Sequence, residues 1–340
     1  MARWWRPLAV ALLLTLFGVE LLFAWPSLTA ALAHLRTPDP GKVAAALFAE
    51  LAAMGAYARM QRRLLRSAGV RVPLYRHAAL AYAAHSLSVT LPGGPAFSTR
   101  FNFQQMRRFG ASPAVASWCI ALSGILSAAA LATVTTVSAV AAQGTPPWPT
   151  LAGLAVGAVL LTVGIRRLAR RPDTVAALIG AVVARINRLR RRPGEHGVDR
   201  VTAFVEQLGA VRLTPGNAIV AGAHALLNWL LDAACLWLCL HAVSGSGISV
   251  TQLLLTFCAG YAAATITIVP GGLGVIDSAL ILGLLAGGVD TGTAIATVVL
   301  YRLISFGFVI GTGWIAWAVL QRRSRNSHPA DTTTSRSAVR

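Results

Sequence analysis

The sequence predicts an all-helical polytopic membrane protein with about six full transmembrane helices and two re-entrant hairpins that break at Pro-Gly-Gly. Of its 340 residues, 56% are hydrophobic and only 12% are charged, whereas a soluble domain carries roughly 25% charged residues. Apolar stretches of about twenty residues recur along the chain, and each is long enough to cross about 30 Å of hydrocarbon as a helix. These proportions argue against a soluble enzyme.

The chain is strongly basic, with a formal net charge of +19 from 30 basic and 11 acidic residues, and Lys42 is its sole lysine. Such a charge is typical of nucleic-acid-binding proteins. Here, however, the arginines lie in short loops between apolar spans, where the positive-inside rule places them without any nucleic acid. The abundance of alanine and arginine indicates a GC-rich bacterial genome. We therefore expect a bacterial plasma membrane protein with no nucleic-acid partner.

The predicted spans are long apolar runs. The first, residues 8–31, is longer than the core of a signal peptide and lacks a clean small-residue cleavage site, so we expect it to be a retained helix. The other predicted spans are 43–60, 112–142, 148–166, 215–241 and 293–320. The four cysteines lie inside apolar segments without metal-ligand spacing, which predicts buried small hydrophobes rather than a disulfide or metal framework. They are Cys119, Cys235, Cys239 and Cys258.

Two further apolar segments, 77–91 and 250–269, each run into a Pro-Gly-Gly sequence. Proline removes a backbone donor and glycine costs helix stability, so we expect the helix to break there. Unbonded backbone is tolerated at membrane depth only where it is buried in protein or lines a watery cavity. Both breaks are therefore expected to mark a cavity. Their residues are Pro92, Gly93 and Gly94, and Pro270, Gly271, Gly272 and Gly274.

Charge distribution predicts the topology, because basic residues favour cytoplasmic loops. Of the 30 bases, 27 lie before the first span, after the last span, or in one of three segments, 59–76, 100–108 and 166–212. These basic residues can all lie on the cytoplasmic side only if the segment between the spans 43–60 and 112–142 enters and leaves the membrane by the same face. The uncharged loops 143–148 and 242–250 are expected outside. The two hairpins then insert from opposite faces, and both termini are cytoplasmic.

The order of span, hairpin and span occurs twice with opposite orientation, which is typical of inverted repeats in secondary transporters. The membrane domain is expected to comprise 1–323. Its basic loop, 167–212, is either an interfacial amphipathic helix on anionic lipid or a solvated topological anchor. Residues 324–340, rich in Ser, Thr and Arg, predict a disordered cytoplasmic tail.

Ionisable side chains inside spans are costly and by default mark function. Asp277 lies in the first turn of the helix that restarts after the second break, where simple capping of the positive helix end also accounts for it. Arg302 lies in the last span, where pairing with Asp277 would neutralise both charges and Tyr301 would add a hydroxyl. The pair is interpreted either as a structural ion pair or as a head-group contact, and the two are compatible.

Polar residues near the first break and on the fifth span complete the predicted substrate site. Arg100, with Ser98 and Thr99 beside it, is well matched to a lipid phosphate near the cytoplasmic leaflet, although it is also explained as a positive-inside charge. Asn228 and Asp232 lie four residues apart on one helix face. They are expected either to line the cavity or to form interhelical hydrogen bonds.

Glu20 and Glu50 each interrupt an apolar span, and a cationic substrate group or a coupling proton would give either a reason to be there. His85 and His224 are interpreted as hydrogen-bonded packing residues. The sequence contains no nucleophile elbow, zincin or Walker motif and no paired carboxylates at a plausible spacing. We therefore expect no enzymatic activity, no cofactor and no metal.

At PGGPAFSTRFNFQQMRRFG, and at PGGLGVIDSALILGLL followed by ATVVLYRLISF, the sequence resembles the transmembrane region of lysylphosphatidylglycerol synthases and related stand-alone, flippase-like membrane proteins. In that family the second motif commonly has glutamate in place of Asp277, and its Tyr-Arg pair matches Tyr301 and Arg302. The aspartate keeps the charge but shortens the reach. The resemblance implies movement of a phospholipid from the inner to the outer leaflet. Because the chain stops about twenty residues past its last span, synthase activity is expected to be absent.

Together these patterns predict a protein that binds or translocates a phospholipid or lipid-linked head group between leaflets, with anionic or zwitterionic phospholipid as its partner. Arg100 would receive the phosphate, Asp277 and Arg302 would line the outward half, and the hairpins would open alternately. Two alternatives stay open. One is a non-transporting scaffold for a partner enzyme of envelope-lipid synthesis. The other is an integral membrane transferase acting on a lipid carrier, which needs a carboxylate facing an aqueous pocket.

Overall fold

The structure is a computed structural model that describes residues 38–91, 93–144, 213–244, 247–264 and 274–326, with residues 148, 149, 152, 153, 156 and 272 between them. The predicted span 8–31, most of 148–166, the basic loop 167–212 and the tail beyond residue 326 lie outside the described residues. The described chain is helical, which confirms the predicted class. Its helices are α1 (Pro40–Ser67), α2 (Leu74–Thr90), α3 (Gly94–Arg108), α4 (Pro113–Ala142), α5 (Pro215–Val243), α6 (Val250–Ala264), α7 (Val275–Ala286), α8 (Thr291–Arg302) and α9 (Val309–Asn326).

Helices α8 and α9 are joined by a π-helix, Leu303–Phe308, called here the π segment. The joined helix continues to Asn326, so the predicted tail begins at least three residues later than residue 324. The sequence predicts the last apolar span, 293–320, but it does not predict the π-helix within that span. A π turn carries no simple sequence signature, whereas hydropathy marks the whole span.

Three of the long helices begin in the same way, with an oxygen-bearing N-cap side chain followed by proline. At α1, Asp39 accepts a hydrogen bond from the backbone N–H of Gly41 at 2.9 Å. Ser112 and Thr214 cap α4 and α5 in the same manner. The side-chain oxygen satisfies an otherwise unpaired N–H, and proline suits the first helical position because it lacks an N–H. These local signals place the helix starts close to the predicted ones.

Four stretches among the described residues are long and apolar enough to cross a membrane: α1, α4, α5 and residues 291–322. At 1.5 Å per residue, α2, α3, α6 and α7 are only about 18–26 Å long, below the roughly 30 Å of hydrocarbon. The long helices also expose apolar side chains outward, including Phe48, Ile219 and Ile315. The chain is a multi-pass membrane protein, and all four predicted cysteines are buried in its core.

The first hairpin is the antiparallel pair α2 and α3, joined at the Pro-Gly-Gly break. Gly93 has φ of +69°, a left-handed conformation that glycine adopts without steric cost. Gly94 lies directly against the end of α2, where a Cβ atom would overlap the backbone carbonyl oxygens of Leu87 and Ser88. The break therefore needs glycine at both positions: Gly93 for its left-handed backbone conformation, and Gly94 for its close approach to the backbone of α2.

Replacing Gly94 with alanine is expected to destabilise the fold by about 1–3 kcal/mol, the usual cost of overpacking, because the overlapping atoms belong to the backbone and cannot move aside. Gly124 provides the matched control, since it lies exposed within α4 with open space around its Cβ position. Gly124→Ala should leave stability unchanged or raise it by up to about 1 kcal/mol. Thermal unfolding in detergent measures both variants, and equal melting temperatures would contradict the close packing.

The second hairpin is formed by α6 and α7, which pack against each other. Gly283 faces Thr256, and Gly260 faces Leu280, each too closely for a larger side chain without movement of the neighbour. Since the position increases along α6 while it decreases along α7, the two helices are antiparallel. Small residues at membrane helix contacts permit this close approach.

The helices α1–α4 and α5–α9 form two halves with corresponding contacts, in which α6 corresponds to α2, α7 to α3, and α8 with α9 to α4. Helix α2 packs on α9 of the other half, and α6 packs on α4 of the other half. Within the halves, α3 packs on α4, and α7 packs on α8. Helices α1 and α5 lie antiparallel, because Lys42 at the start of α1 donates to the carbonyl of His241 at the end of α5 (2.9 Å). Pro270 follows Pro92 by 178 residues, and Thr291 follows Pro113 by the same interval. This is the arrangement that an inverted repeat requires.

Candidate functional site

A cavity of about 390 Å³ lies between the two hairpins, within the roughly 300–1,000 Å³ range of small-molecule sites. Residues beside both breaks line it, with Ser88 and Ser98 from the first hairpin and Gly272 and Ile276 from the second. The helices thus bring the two Pro-Gly-Gly regions, far apart in sequence, to one chamber. The ionisable side chains on its wall are Glu50, Tyr57, His85, Asp232, Tyr261 and Arg302.

Asp277 performs both of the roles considered for it. Its Oδ2 accepts a hydrogen bond from the backbone N–H of Gly274 at 2.9 Å, which caps α7. Its Oδ1 accepts from Nε of Arg302, which makes the ion pair between the second hairpin and α8. Capping and pairing use different oxygens, so the two interpretations are compatible in the structure.

Arg302 is only partly used by this ion pair. Its Nη2 is buried and has no hydrogen-bond partner among the described residues, and the side chain lines the cavity. The guanidinium carbon lies 5.8 Å from the ring centre of Phe306 in the π segment, within the range of a cation–π contact. A buried donor without a partner is costly, and an incoming acceptor would satisfy it.

The π segment follows Arg302 directly and supplies Ser305 and Phe306 to the cavity wall. Single π turns inside α-helices are frequent at functional sites, because they change which side chains face a neighbour. Here the turn lies between the residues that face the cavity on α8 and those on α9 that pack against the first hairpin.

Asp232 lies at the centre of a second polar cluster. Its Oδ1 accepts from the hydroxyl of Tyr301 at 2.7 Å, and its Oδ2 accepts from the hydroxyl of Tyr261 at 2.8 Å. The two tyrosine hydroxyls are themselves 2.9 Å apart. Glu50 lines the same cavity, and its carboxyl group interacts with that of Asp232. Four helices, α1, α5, α6 and α8, thus meet at this cluster.

The structure places the other predicted site residues in different surroundings. Asn228 and Ser98 line the cavity. Thr99 and Arg100 instead line a separate open groove beside α3 and α4. Because successive helical residues are about 100° apart, Ser98 and Arg100 face nearly opposite directions, so Arg100 is not brought to Arg302. Glu20, Pro92, Pro270 and Gly271 lie outside the described residues.

Tyr261 is the main site residue that the sequence analysis missed. Its signal was a tyrosine inside an apolar helix, since a buried phenol hydroxyl usually finds a hydrogen-bond partner. Tyr301 was expected beside the ion pair, yet its hydroxyl bonds Asp232. His85, interpreted as a packing residue, lines the cavity, whereas His224 bonds the carbonyl of Val220 in its own helix at 2.7 Å.

A family model described as "Lysylphosphatidylglycerol synthase TM region" matches residues 4–313, and no curated protein matches the chain significantly. The matched range contains both breaks, the Asp277–Arg302 pair and the Asp232 cluster, so the resemblance seen in the sequence motifs extends to the whole cavity. The match and the apolar helices indicate a membrane protein associated with lipid handling. The chain belongs to the family of the lysylphosphatidylglycerol synthase transmembrane region.

Proposed function

We propose that this protein binds the head group of a phospholipid or a lipid-linked molecule in the cavity and moves it between the leaflets. The observation that carries the proposal is the Arg302 guanidinium, which lines a chamber bounded by both hairpins and keeps Nη2 without a partner among the described residues. A phosphate oxygen is a strong acceptor for such a donor. The family match supports lipid handling in general.

The ion pair prepares Arg302 for this contact. Asp277 holds Nε, which fixes the plane of the guanidinium and offsets the cost of burying its charge. Nη2 keeps its hydrogen-bonding capacity, so a phosphate in the cavity would bind there without first displacing the carboxylate. Arginine suits this arrangement better than lysine, because its planar fork offers several donors in fixed directions.

The anion site belongs to only one half of the repeat. At the interval of 178 residues that relates the breaks, Thr99 corresponds to Asp277 and Gly124 corresponds to Arg302. The first hairpin therefore supplies wall and hydroxyl groups, whereas the second hairpin supplies Asp277 and α8 supplies Arg302. In the proposed cycle the two hairpins open alternately towards opposite leaflets, while the acyl chains remain in the bilayer.

The groove at Arg100 fits a first contact with the lipid. Arg100 is exposed there and lies next to an apolar wall that includes Phe103 and Ile120. A cation beside an apolar surface matches a phosphate attached to an acyl chain. This keeps the predicted role of Arg100 in lipid binding, but assigns it to approach rather than to the cavity.

Arg100→Gln is expected to raise the half-saturating lipid concentration about fivefold, because one basic side chain near an anionic surface contributes about 1 kcal/mol. The maximal rate should remain unchanged, since the cavity is intact. Arg108→Gln is the control, being an exposed arginine on the same helix that does not line the groove. Lipid titration of reconstituted protein measures both, and equal effects of the two variants would remove the groove from the path.

The proposed function is tested in proteoliposomes that contain phosphatidylglycerol with a fluorescent label. Quenching of the outer leaflet by a membrane-impermeant reductant reports how fast the label crosses the bilayer. The protein should accelerate crossing relative to protein-free vesicles. Crossing at the protein-free rate, in vesicles shown to contain folded protein, would overturn the proposal.

A second candidate is an integral membrane transferase acting on a lipid carrier. It is favoured by one observation, that the carboxyl groups of Glu50 and Asp232 lie on the cavity wall, where a general acid or base would be needed. Mass spectrometry of a bacterial lipid extract incubated with the protein decides between the two. A new lipid species formed by the natural chain, and not by Asp232→Asn, would support the transferase, whereas unchanged lipids that cross the bilayer support transport alone.

A further inference from the structure

The carboxyl groups of Glu50 and Asp232 have no cation in direct contact among the described residues. Glu50 is 6% exposed and Asp232 is 8% exposed. The Arg302 charge is paired with Asp277, and no basic side chain of the described residues forms an ion pair with Glu50 or Asp232. Two adjacent carboxylates repel each other strongly in a buried site, so the pair needs a positive charge from elsewhere.

The contacts among Asp232, Tyr261 and Tyr301 are more numerous than the hydrogens that the two tyrosines supply. Asp232, Tyr261 and Tyr301 form a closed ring of three oxygen–oxygen contacts of 2.7, 2.8 and 2.9 Å. A hydrogen bond at each of the three contacts takes one hydrogen. The two tyrosine hydroxyls supply two hydrogens, and an ionised carboxylate supplies none. A third hydrogen, carried by Asp232, lets every contact in the ring have a donor.

The position of Glu50 near Asp232 has the same consequence. Both side chains are buried on the cavity wall, where two ionised carboxylates repel each other and a proton on one of them removes that repulsion. Oε2 of Glu50 is buried and has no hydrogen-bond partner among the described residues. The geometry of the cluster is thus that of a carboxyl pair holding at least one proton beyond the hydroxyl hydrogens.

We propose that Glu50 and Asp232 form a proton-binding site, and that its proton travels with the head group during each cycle. The second clause rests on the proposed function. In the release step, a carboxyl O–H bond breaks, the electron pair stays on the carboxylate, and the proton passes to cavity water as hydronium. In the uptake step, a hydronium ion returns its proton to the pair.

The groups that face this pair explain the coupling. Arg302 is the basic side chain that acts on Asp232 among the described residues. When a phosphate binds to Arg302, the negative charge it adds favours the protonated pair, so anion binding and proton binding reinforce each other. The remaining titratable groups near the pair are Tyr57 on α1, Tyr82 and His85 on α2, Cys235 and Cys239 on α5, Tyr261 on α6 and Tyr301 on α8.

Infrared difference spectroscopy on the full chain in liposomes tests the proton site without any transport. The natural protein should show a protonated-carboxyl C=O band that shifts in heavy water. Glu50→Gln and Asp232→Asn, which preserve side-chain size, should each remove or shift this band. Asp39→Asn, at the exposed N-cap of α1, should leave it unchanged. Absence of the band in the natural protein would overturn the proton site.

Coupling is tested in proteoliposomes that contain labelled phosphatidylglycerol and an entrapped pH-indicator dye. A difference of one pH unit should drive the lipid towards the alkaline side, up to about a tenfold ratio between leaflets for one proton per lipid. In Glu50→Gln, the final distribution of lipid between the leaflets should be the same with and without the gradient, whatever the rate of movement. If the natural protein moves lipid with no response and no proton flux, coupling is overturned and the proposed function stands. If it moves no lipid, the proposed function and the coupling fail together, while the infrared band still decides the proton site.

Discussion

Replacing Arg302 with alanine is expected to lower the rate of head-group movement at least about tenfold. The substitution removes a buried donor without a partner among the described residues on a side chain that lines the cavity, and a hydrogen bond to a charged group contributes about 1.5–3 kcal/mol. Since each 1.4 kcal/mol changes an equilibrium about tenfold, loss of this one contact accounts for the effect. Leaflet-resolved quenching of labelled phosphatidylglycerol measures the rate.

The control must separate loss of function from loss of fold. The Asp277–Arg302 pair is partly buried, so breaking one side of it costs less than the roughly 3–5 kcal/mol of a fully buried pair, in which the other charge is left unpaired. The double variant Asp277→Asn with Arg302→Gln removes both charges together, so it should unfold within a few degrees of the natural protein and still fail to move lipid. Arg302→Lys should give an intermediate rate, since it keeps the charge but not the fork. A double variant that moves lipid at the natural rate would show that the pair is only structural.

The sequence predicts those parts of the molecule that depend on local signals. The starts of α4 and α5 follow from Ser112 and Thr214, each standing before a proline. The Asp277–Arg302 pairing is predictable because an isolated charge inside a membrane span has a high free energy, and a partner of opposite charge lowers that free energy. Such inferences need no knowledge of how distant helices pack.

The parts that the sequence does not predict depend on packing between distant helices. Asp232 was placed correctly on the same helix face as Asn228, but its hydrogen-bond donors come from positions 29 and 69 residues further along the chain. Similarly, the charge of Arg100 suggests a phosphate contact but does not determine which side of α3 faces the cavity. That orientation is set by the packing of α3 against α2 and α4, which no local pattern encodes.

Insertion of one alanine between Phe308 and Val309, directly after the π segment, is expected to reduce head-group movement at least about tenfold and to lower the melting temperature. One added α-helical residue rotates α9 relative to α8 by about 100°. On α8, Tyr301 must reach Asp232; on α9, Gly313 must fit against Tyr82 and Ser86 of the first hairpin. With the added residue the helix cannot satisfy both contacts. The quenching assay and thermal unfolding measure the two effects.

Gly307→Ala is the matched control for this insertion. The glycine is exposed, and a Cβ atom there would meet only the carbonyl oxygen of Arg302 at 4.0 Å, which is an ordinary contact. The alanine variant keeps the six-residue π segment and should move lipid at the natural rate. A defect confined to the insertion therefore assigns the effect to helix register rather than to a change of side chain in the π segment. Natural rates in the insertion variant would show instead that head-group movement does not depend on the rotation of α9 relative to α8, and that the two hairpins are not held in phase by this helix.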